Sequence, residues 1–165
     1  LWVTGTIGDG ALGLRVLQGQ LEDTSGHLAQ RYRLPEPRLG LELHGLARCA
    51  MDISDGLVQD TGHLARENDL AAVIDTPKLP LSPAARHAGP DWLRTCLTGG
   101  DDYELLMAIP PAQEDALARK GYLQSPYGRV PVTRIGQFHK GAPCVRVLDR
   151  NGYPLRIETG GWSHL

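Results

Sequence analysis

The stretch Asp52-Ile53-Ser54-Asp55-Gly56-Leu57 constrains this chain most. It packs two carboxylates, a hydroxyl and a glycine into a place where no core element can run. Apolar residues at 43, 46, 47 and 50 have helical spacing and predict a helix over 41–50. Residues 57–67 also predict a helix, with Leu57, Leu64 and Ala65 facing a core. The acidic stretch is therefore expected at a helix–helix junction, at or just before a helix N-terminus, where free N–H groups and the positive dipole end favour anions. Two readings follow. In one, Asp52 and Asp55 point the same way and hold a hard cation through oxygen, and the Ser54 hydroxyl bonds a phosphate that the cation bridges. In the other, Ser54 or Asp55 caps the second helix and Asp52 is solvated. Position 57 is not Glu or Gln, so a reciprocal capping box is absent.

The 165 residues are enough for one domain with its own core. Aromatic residues make up only 5 %, so that core is expected to be Leu, Val, Ile and Ala. A net charge of −2 and a pI near 6.3 give no electrostatic reason for a nucleic-acid or anionic-membrane partner. No apolar run approaches the ~20 residues that span a bilayer, and no secretory signal is visible. Cys49, Cys96 and Cys144 lack C-x-x-C spacing, which predicts reduced, mostly buried thiols in a cytoplasmic protein. The chain opens on the apolar run Leu1-Trp2-Val3-Thr4 without an initiator methionine. It is expected to be the C-terminal piece of a longer protein, or a chain whose earlier part was cut away.

A strand over 1–4 leads into the glycine-rich turn 5–10 and a helix over 11–20. That order can cradle a phosphate, but it has neither G-x-G-x-x-G spacing nor a Walker lysine, and a tight turn with glycine at positive φ explains it equally. Residues 22–33 read as loop plus a short helical piece, and Leu34-Pro35-Glu36-Pro37-Arg38 as extended. A buried-type strand covers 71–75, Ser82 caps a short helix over 83–87, and 92–97 form another helical turn. Thr98-Gly99-Gly100-Asp101-Asp102 then leads into a strand over 103–109; within a strand the two acids would face opposite ways. Pro111 opens a helix over 112–120, and 121–130 read as an irregular loop. Strands are expected over 132–138, with Gly136 at a bulge or close contact, and over 144–148. A type I′ Asn151-Gly152 turn then leads into a return strand over 153–157. Strands separated by helices and a terminal hairpin predict an α+β (or α/β) fold, a mixed β-sheet packed with helices in a single domain over 1–165.

Taken together and in order, the segments 3–9, 35–38, 51–57, 79–82, 99–105, 135–136 and 161–164 resemble the C-terminal half of the thiamine-monophosphate kinases. That family is related to aminoimidazole ribonucleotide synthetase, selenophosphate synthetase and a hydrogenase maturation protein. The resemblance implies the C-terminal fold of that superfamily. It implies in-line transfer of the γ-phosphoryl group of ATP to thiamine phosphate with Mg2+, and a homodimer. By the same resemblance Asp52 and Asp55 are magnesium ligands, Ser54 is an ATP contact, and Asp101 and Trp162 contact the substrate. Asp101 stands where the family usually has Glu, Ser163 where it has Asp, and Leu165 where it has an aromatic residue. The resemblance puts most magnesium ligands, much of the ATP site and the dimer contact in an N-terminal half outside this chain, so the chain alone is expected to be inactive. Two rival readings stand beside it: another ATP-using enzyme of the superfamily, such as an amidine cyclo-ligase, and a non-catalytic domain in which Asp52 and Asp55 only cap a helix.

Overall fold

The computed structural model describes residues 1–157. Alternation along the central strand β1 (Trp2–Thr4) organises the architecture, because Trp2 and Val3 face opposite sides of a sheet and both sides are buried. The elements that follow are α1 (Asp9–Leu17), α2 (His27–Arg33), β2 (Cys49–Asp52), α3 (Leu57–Glu67) and β3 (Leu70–Asp75). Next come α4 (Pro83–Ala88), α5 (Leu93–Thr98), β4 (Leu105–Ala108) and α6 (Pro111–Lys120). The chain then runs through β5 (Tyr122–Ser125), β6 (Gly128–Arg134), β7 (Gly136–Lys140), β8 (Cys144–Leu148) and β9 (Pro154–Leu155). The fold is α+β, with two sheets rather than one. One sheet, ordered β2-β4-β1-β6-β5, is antiparallel throughout. The other, ordered β7-β3-β8-β9, is mixed, since β3 and β8 run parallel.

Val3 and Leu106 on the inner face of the first sheet pack with Ile74 and Val147 of the second and with Leu57 and Leu64 of α3. The opposite face carries Trp2, Met107 and Val132 under Leu117 of α6. Leu12, Leu28, Ala85 and Cys96 form a smaller core among α1, α2, α4 and α5. Fully burying a leucine or isoleucine contributes roughly 1.5–3 kcal/mol. Ser82 caps α4 as expected, accepting the Ala85 N–H at 3.0 Å, and Pro111 occupies the first turn of α6.

Four local expectations are corrected. The helix over 41–50 is a turn followed by β2: Leu43, Leu46 and Ala47 pack against the second core, but Cys49 to Asp52 pair with β4. Eight residues of helical spacing do not outweigh a full set of ladder hydrogen bonds on a sheet edge. The irregular loop over 121–130 is the β5–β6 hairpin, whose alternating burial is hidden by the Ser125-Pro126-Tyr127 corner. The strand over 132–138 is divided between the sheets at Ile135, whose N–H donates to Leu1 O and whose carbonyl accepts from Asp75 N–H. The last turn is not type I′, because only Gly152 has positive φ there. The Asp149 carboxylate sets it by accepting from the Asn151 and Tyr153 N–H groups at 2.8 Å each. Of the free cysteines Cys96 is buried, Cys49 half-buried and Cys144 exposed, so burial of the thiols is less general than expected.

Gly136 is the close contact the sequence suggests. A Cβ there would lie 1.9 Å from Val73 O, a backbone atom in the middle of the second sheet. Gly136→Ala is expected to cost about 1–3 kcal/mol, the range for overpacking a core. Urea unfolding checks this, and an unchanged midpoint would contradict it.

Candidate functional site

Three loops meet where β1, β2 and β4 end: the turn before α1, residues 53–56, and residues 99–104. Backbone pairing continues past the strand ends. Ile53 N–H donates to Glu104 O at 2.8 Å, Tyr103 N–H to Ile53 O at 2.9 Å, and Asp101 N–H to Ser54 O at 3.0 Å. Gly100 permits this approach, since a Cβ there would stand 2.1 Å from Ser54 O.

Buried carboxyl groups hold the loops together. Asp102, fully buried, accepts from Gly8 N–H at 2.7 Å and Gly10 N–H at 3.2 Å. Burial pushes its pKa up to about 8; the two amides oppose this, while the Asp9 and Glu104 charges add to it. Asp60, 1 % exposed, reaches back from α3 and accepts the N–H groups of Ser54, Asp55 and Gly56 on one oxygen at 3.1–3.2 Å. Its pKa is also raised, first by burial and further by the Asp55 charge, against the pull of the backbone donors and His63. Glu104, fully buried, accepts from Thr4 Oγ1 at 2.6 Å and takes a fork from Arg38, Nε at 2.7 Å and Nη2 at 2.6 Å. That pairing holds the Arg38 guanidinium above its ordinary pKa. Asp9, also buried, binds Thr6 Oγ1, Ser82 Oγ and His27 Nε2 at 2.7, 2.6 and 3.1 Å.

Other acids face outward. Asp52 is exposed, and Asp55 and Asp101 are half-buried. Asp101 and Tyr103 have φ of 67° and 52°, the left-handed region, which costs backbone energy in residues other than glycine. Tyr103 Oη donates to Asp101 Oδ1 at 3.3 Å. Partial burial raises the Tyr103 pKa first, then the Asp101 charge and hydrogen bond, with the Asp52 charge adding to them. Asp55, Asp60 and His63 have potential ligand atoms within 4.8 Å of one another, and Asp52 is not in that group. An open cleft of about 530 Å³ runs beside α3 between Gln59, His63, Thr98, Val145 and Leu155.

The acidic stretch is therefore a strand–helix junction, not a helix–helix junction. Neither Ser54 nor Asp55 caps α3: its N-cap is Gly56 and makes no side-chain cap bond. Ser54 and Asp101 are brought together through their backbones, whereas Asp102 turns inward. Neither Asp101 nor Asp102 lies in a strand. The glycine turn follows the tight-turn reading, since its Gly8 and Gly10 amides face an internal carboxyl. Trp162 lies outside the described residues. Reading the sequence missed Asp60 and Glu104, and marked Asp102 without its inward role. Asp60 shares the core face of α3 with Leu57, three residues before it, and Leu64, four after it, and a carboxyl on an apolar stripe signals an internal hydrogen-bond acceptor.

No family model matches the chain. The thiamine-monophosphate kinase of Escherichia coli K12 is 38 % identical over 99 % of this chain, and that of Caulobacter vibrioides is 35 % identical over 99 %. Over nearly its full length this chain is similar in sequence to thiamine-monophosphate kinases. It spans about half the length of the curated relatives it matches, 51 % and 47 % for these two. The crystal structure of the thiamine-monophosphate kinase from Stenotrophomonas maltophilia K279a superposes with a TM-score of 0.77 at 38 % identity, over 93 % of this chain and 50 % of that one. AaThiL, solved with AMPPCP and TMP, matches with a TM-score of 0.74 at 31 % identity, over 99 % of this chain and 50 % of that one. The hydrogenase maturation protein HypE, at 18 % identity and a TM-score of 0.65, shares the fold.

Asp60→Ala is expected to cost about 3 kcal/mol, because it leaves several N–H groups unpaired at 1–3 kcal/mol for each buried one. Chemical denaturation measures this, and a loss within 0.5 kcal/mol, about the size of a neutral surface change, would contradict it. Asp102 sets a pH dependence. Its folded pKa of about 8 lies above the ordinary 3.8, so the folded state binds more protons between those values and stability falls as pH rises through that window. Asp102→Asn is expected to flatten this slope and to lower stability at its acidic end, because the amide N–H2 faces N–H donors. Thermal melts from pH 5 to pH 8.5 test it, and equal slopes in both proteins would refute it.

Proposed function

We propose that this chain is the C-terminal half of a thiamine-monophosphate kinase, which transfers the γ-phosphoryl group of ATP to thiamine phosphate and yields thiamine diphosphate and ADP. The observation that carries the reading is 38 % identity across 99 % of the chain to the Escherichia coli enzyme. The match to AaThiL with AMPPCP and TMP supports ATP and thiamine phosphate as the reactants. The small net negative charge supports small-molecule reactants over nucleic acid. Among the described residues no helix is long and apolar enough to cross a membrane. On this reading the full-length protein is a cytoplasmic homodimer, and this half alone is inactive.

Both reactants are polyanions, so catalysis is positioning and charge neutralisation. In this reading Asp52 and Asp55 hold Mg2+, and the carboxylates of the exposed Asp52 and half-buried Asp55 suit a hard cation. Bound there, Mg2+ supplies neutralisation of phosphate charge and orientation of the phosphoryl group. Asp60 fixes the backbone that carries Ser54 and Asp55, which keeps the Ser54 hydroxyl in place for an ATP contact. Asp101, presented by a strained backbone and held by Tyr103, contacts thiamine phosphate, and Trp162 contacts its heterocyclic portion.

Phosphoryl transfer from ATP to thiamine phosphate by the full-length protein in Mg2+ tests the reading. Thiamine diphosphate is the expected product, and its absence overturns the assignment. Asp55→Asn is expected to lower the rate by about 100-fold, the upper end seen for groups that only orient metal ligands, and to raise the Mg2+ concentration required. A full rate at unchanged Mg2+ would remove Asp55 from the metal site.

A further inference from the structure

Arg31 and Arg38 converge on Glu104, and the described residues use only part of their donor capacity. Arg38 forks onto Glu104, while Arg31 donates Nη2 to Asp102 O at 3.2 Å. The Arg31 side chain is only 10 % exposed, yet its buried Nη1 has no hydrogen-bond partner among the described residues. A guanidinium has five donors, no acceptor and a permanent charge, so an idle buried Nη1 is an unmet demand for an anion.

Glu36 faces it. One carboxylate oxygen, Oε2, stands 3.7 Å from Arg31 Nη1 and 3.7 Å from Arg38 Nη1, beyond hydrogen-bond length to either. Glu36 is 68 % exposed, and Pro35 and Pro37 restrain its backbone but not its side chain. A loosely held carboxylate thus occupies the point where two guanidinium groups meet. Glu104 compensates one of the two arginine charges. With Glu36 swung away, the pair keeps one uncompensated positive charge, beside a cleft of about 390 Å³ that Glu36 and Arg38 line. Arg129 on the β5–β6 hairpin adds a cation to the same cleft.

We propose that Arg31 and Arg38 form a binding subsite for a phosphate-type oxyanion, in which Glu36 is the internal placeholder that the anion displaces. A tetrahedral oxyanion offers an oxygen to each Nη1, which one shared carboxylate oxygen at 3.7 Å does not achieve. The Arg31 bond to Asp102 O ties such an anion to the 99–104 loop. The inference stands without the kinase reading, because it uses none of Asp52, Ser54, Asp55 or Trp162.

The test follows the arginine side-chain N–H signals of the full-length protein by NMR while inorganic phosphate or methyl phosphate is added at constant ionic strength. Glu36→Gln removes the competing charge and leaves every hydrogen bond of Arg31 and Arg38 intact. Saturable shifts of the Arg31 and Arg38 signals are expected, with Glu36→Gln tightening binding roughly fivefold, as loss of one nearby charge in a watery setting gives. Tightening with inorganic phosphate supports a free anion as ligand, and tightening with methyl phosphate an esterified one. Equal affinity in the two proteins, or no saturable shift at these arginines, overturns the proposal.

Discussion

Taking a carboxyl group out of water costs several kcal/mol unless donors replace the solvent, and this chain does so at Asp9, Asp60, Asp102 and Glu104. Each finds its donors on a different segment. Asp102 ties the 99–104 loop to the start of α1, Asp60 ties α3 to residues 54–56, Glu104 ties β4 to β1 and to Arg38, and Asp9 ties α1 to Ser82. These bonds replace side-chain caps at the helix starts: the N-caps of α1 and α3 are glycines without cap bonds, and the carboxyl groups of Asp102, from the 99–104 loop, and of Asp60, from within α3, supply the acceptors. The loops that carry Ser54, Asp55 and Asp101 are each held by an internal carboxyl group or a backbone pair.

Where a segment's own periodicity and caps decide its structure, the sequence was readable. Residues 57–67, the Ser82 cap, Pro111 and the strand of 71–75 are local patterns with local causes, and all appear as expected. Where partners distant in sequence decide, it was not. The stretch 43–50 has helical spacing, yet Ala108 and its neighbours on β4 recruit Cys49 to Asp52 into a ladder. The run 132–138 reads as one strand, but the contacts of Ile135 with Leu1 and Asp75 place its halves in different sheets. At the candidate site the visible signals were acids beside glycines, which marked Asp55 and Asp101 but also Asp102, an internal acceptor. Telling these apart needs the fold, because adjacent aspartates differ only in which way a positive-φ backbone turns them.

The acids divide into two sets. Those inside are each met by N–H, O–H or guanidinium donors. Those outside, Asp52, Asp55 and Asp101, share loops with the first set and keep oxygens toward solvent. Tyr103 links the outward set, since its hydroxyl bonds Asp101 and its ionisation feels both Asp101 and Asp52. Left-handed backbone at Asp101 and Tyr103 is sustained by the bonds on either side of it, Asp101 N–H to Ser54 O and Tyr103 N–H to Ile53 O. Strain persists only where neighbours over-determine it, and such positions cluster at sites that bind or react.

The same bonding bears on how a phosphate could be held. A glycine turn before a helix ordinarily offers its amides to an anionic ligand, but here the Gly8 and Gly10 amides face Asp102, and those of Ser54, Asp55 and Gly56 face Asp60. An external phosphate would have to displace a buried carboxyl to reach either set, leaving that carboxyl without partners. On the proposed readings, charge on a polyanionic ligand is met by cations: a metal on the outward aspartates, or guanidinium groups such as that of Arg31, whose buried Nη1 has no hydrogen-bond partner among the described residues. In this chain glycines supply close approach between backbones, and the amides beside them are taken by internal carboxyl groups.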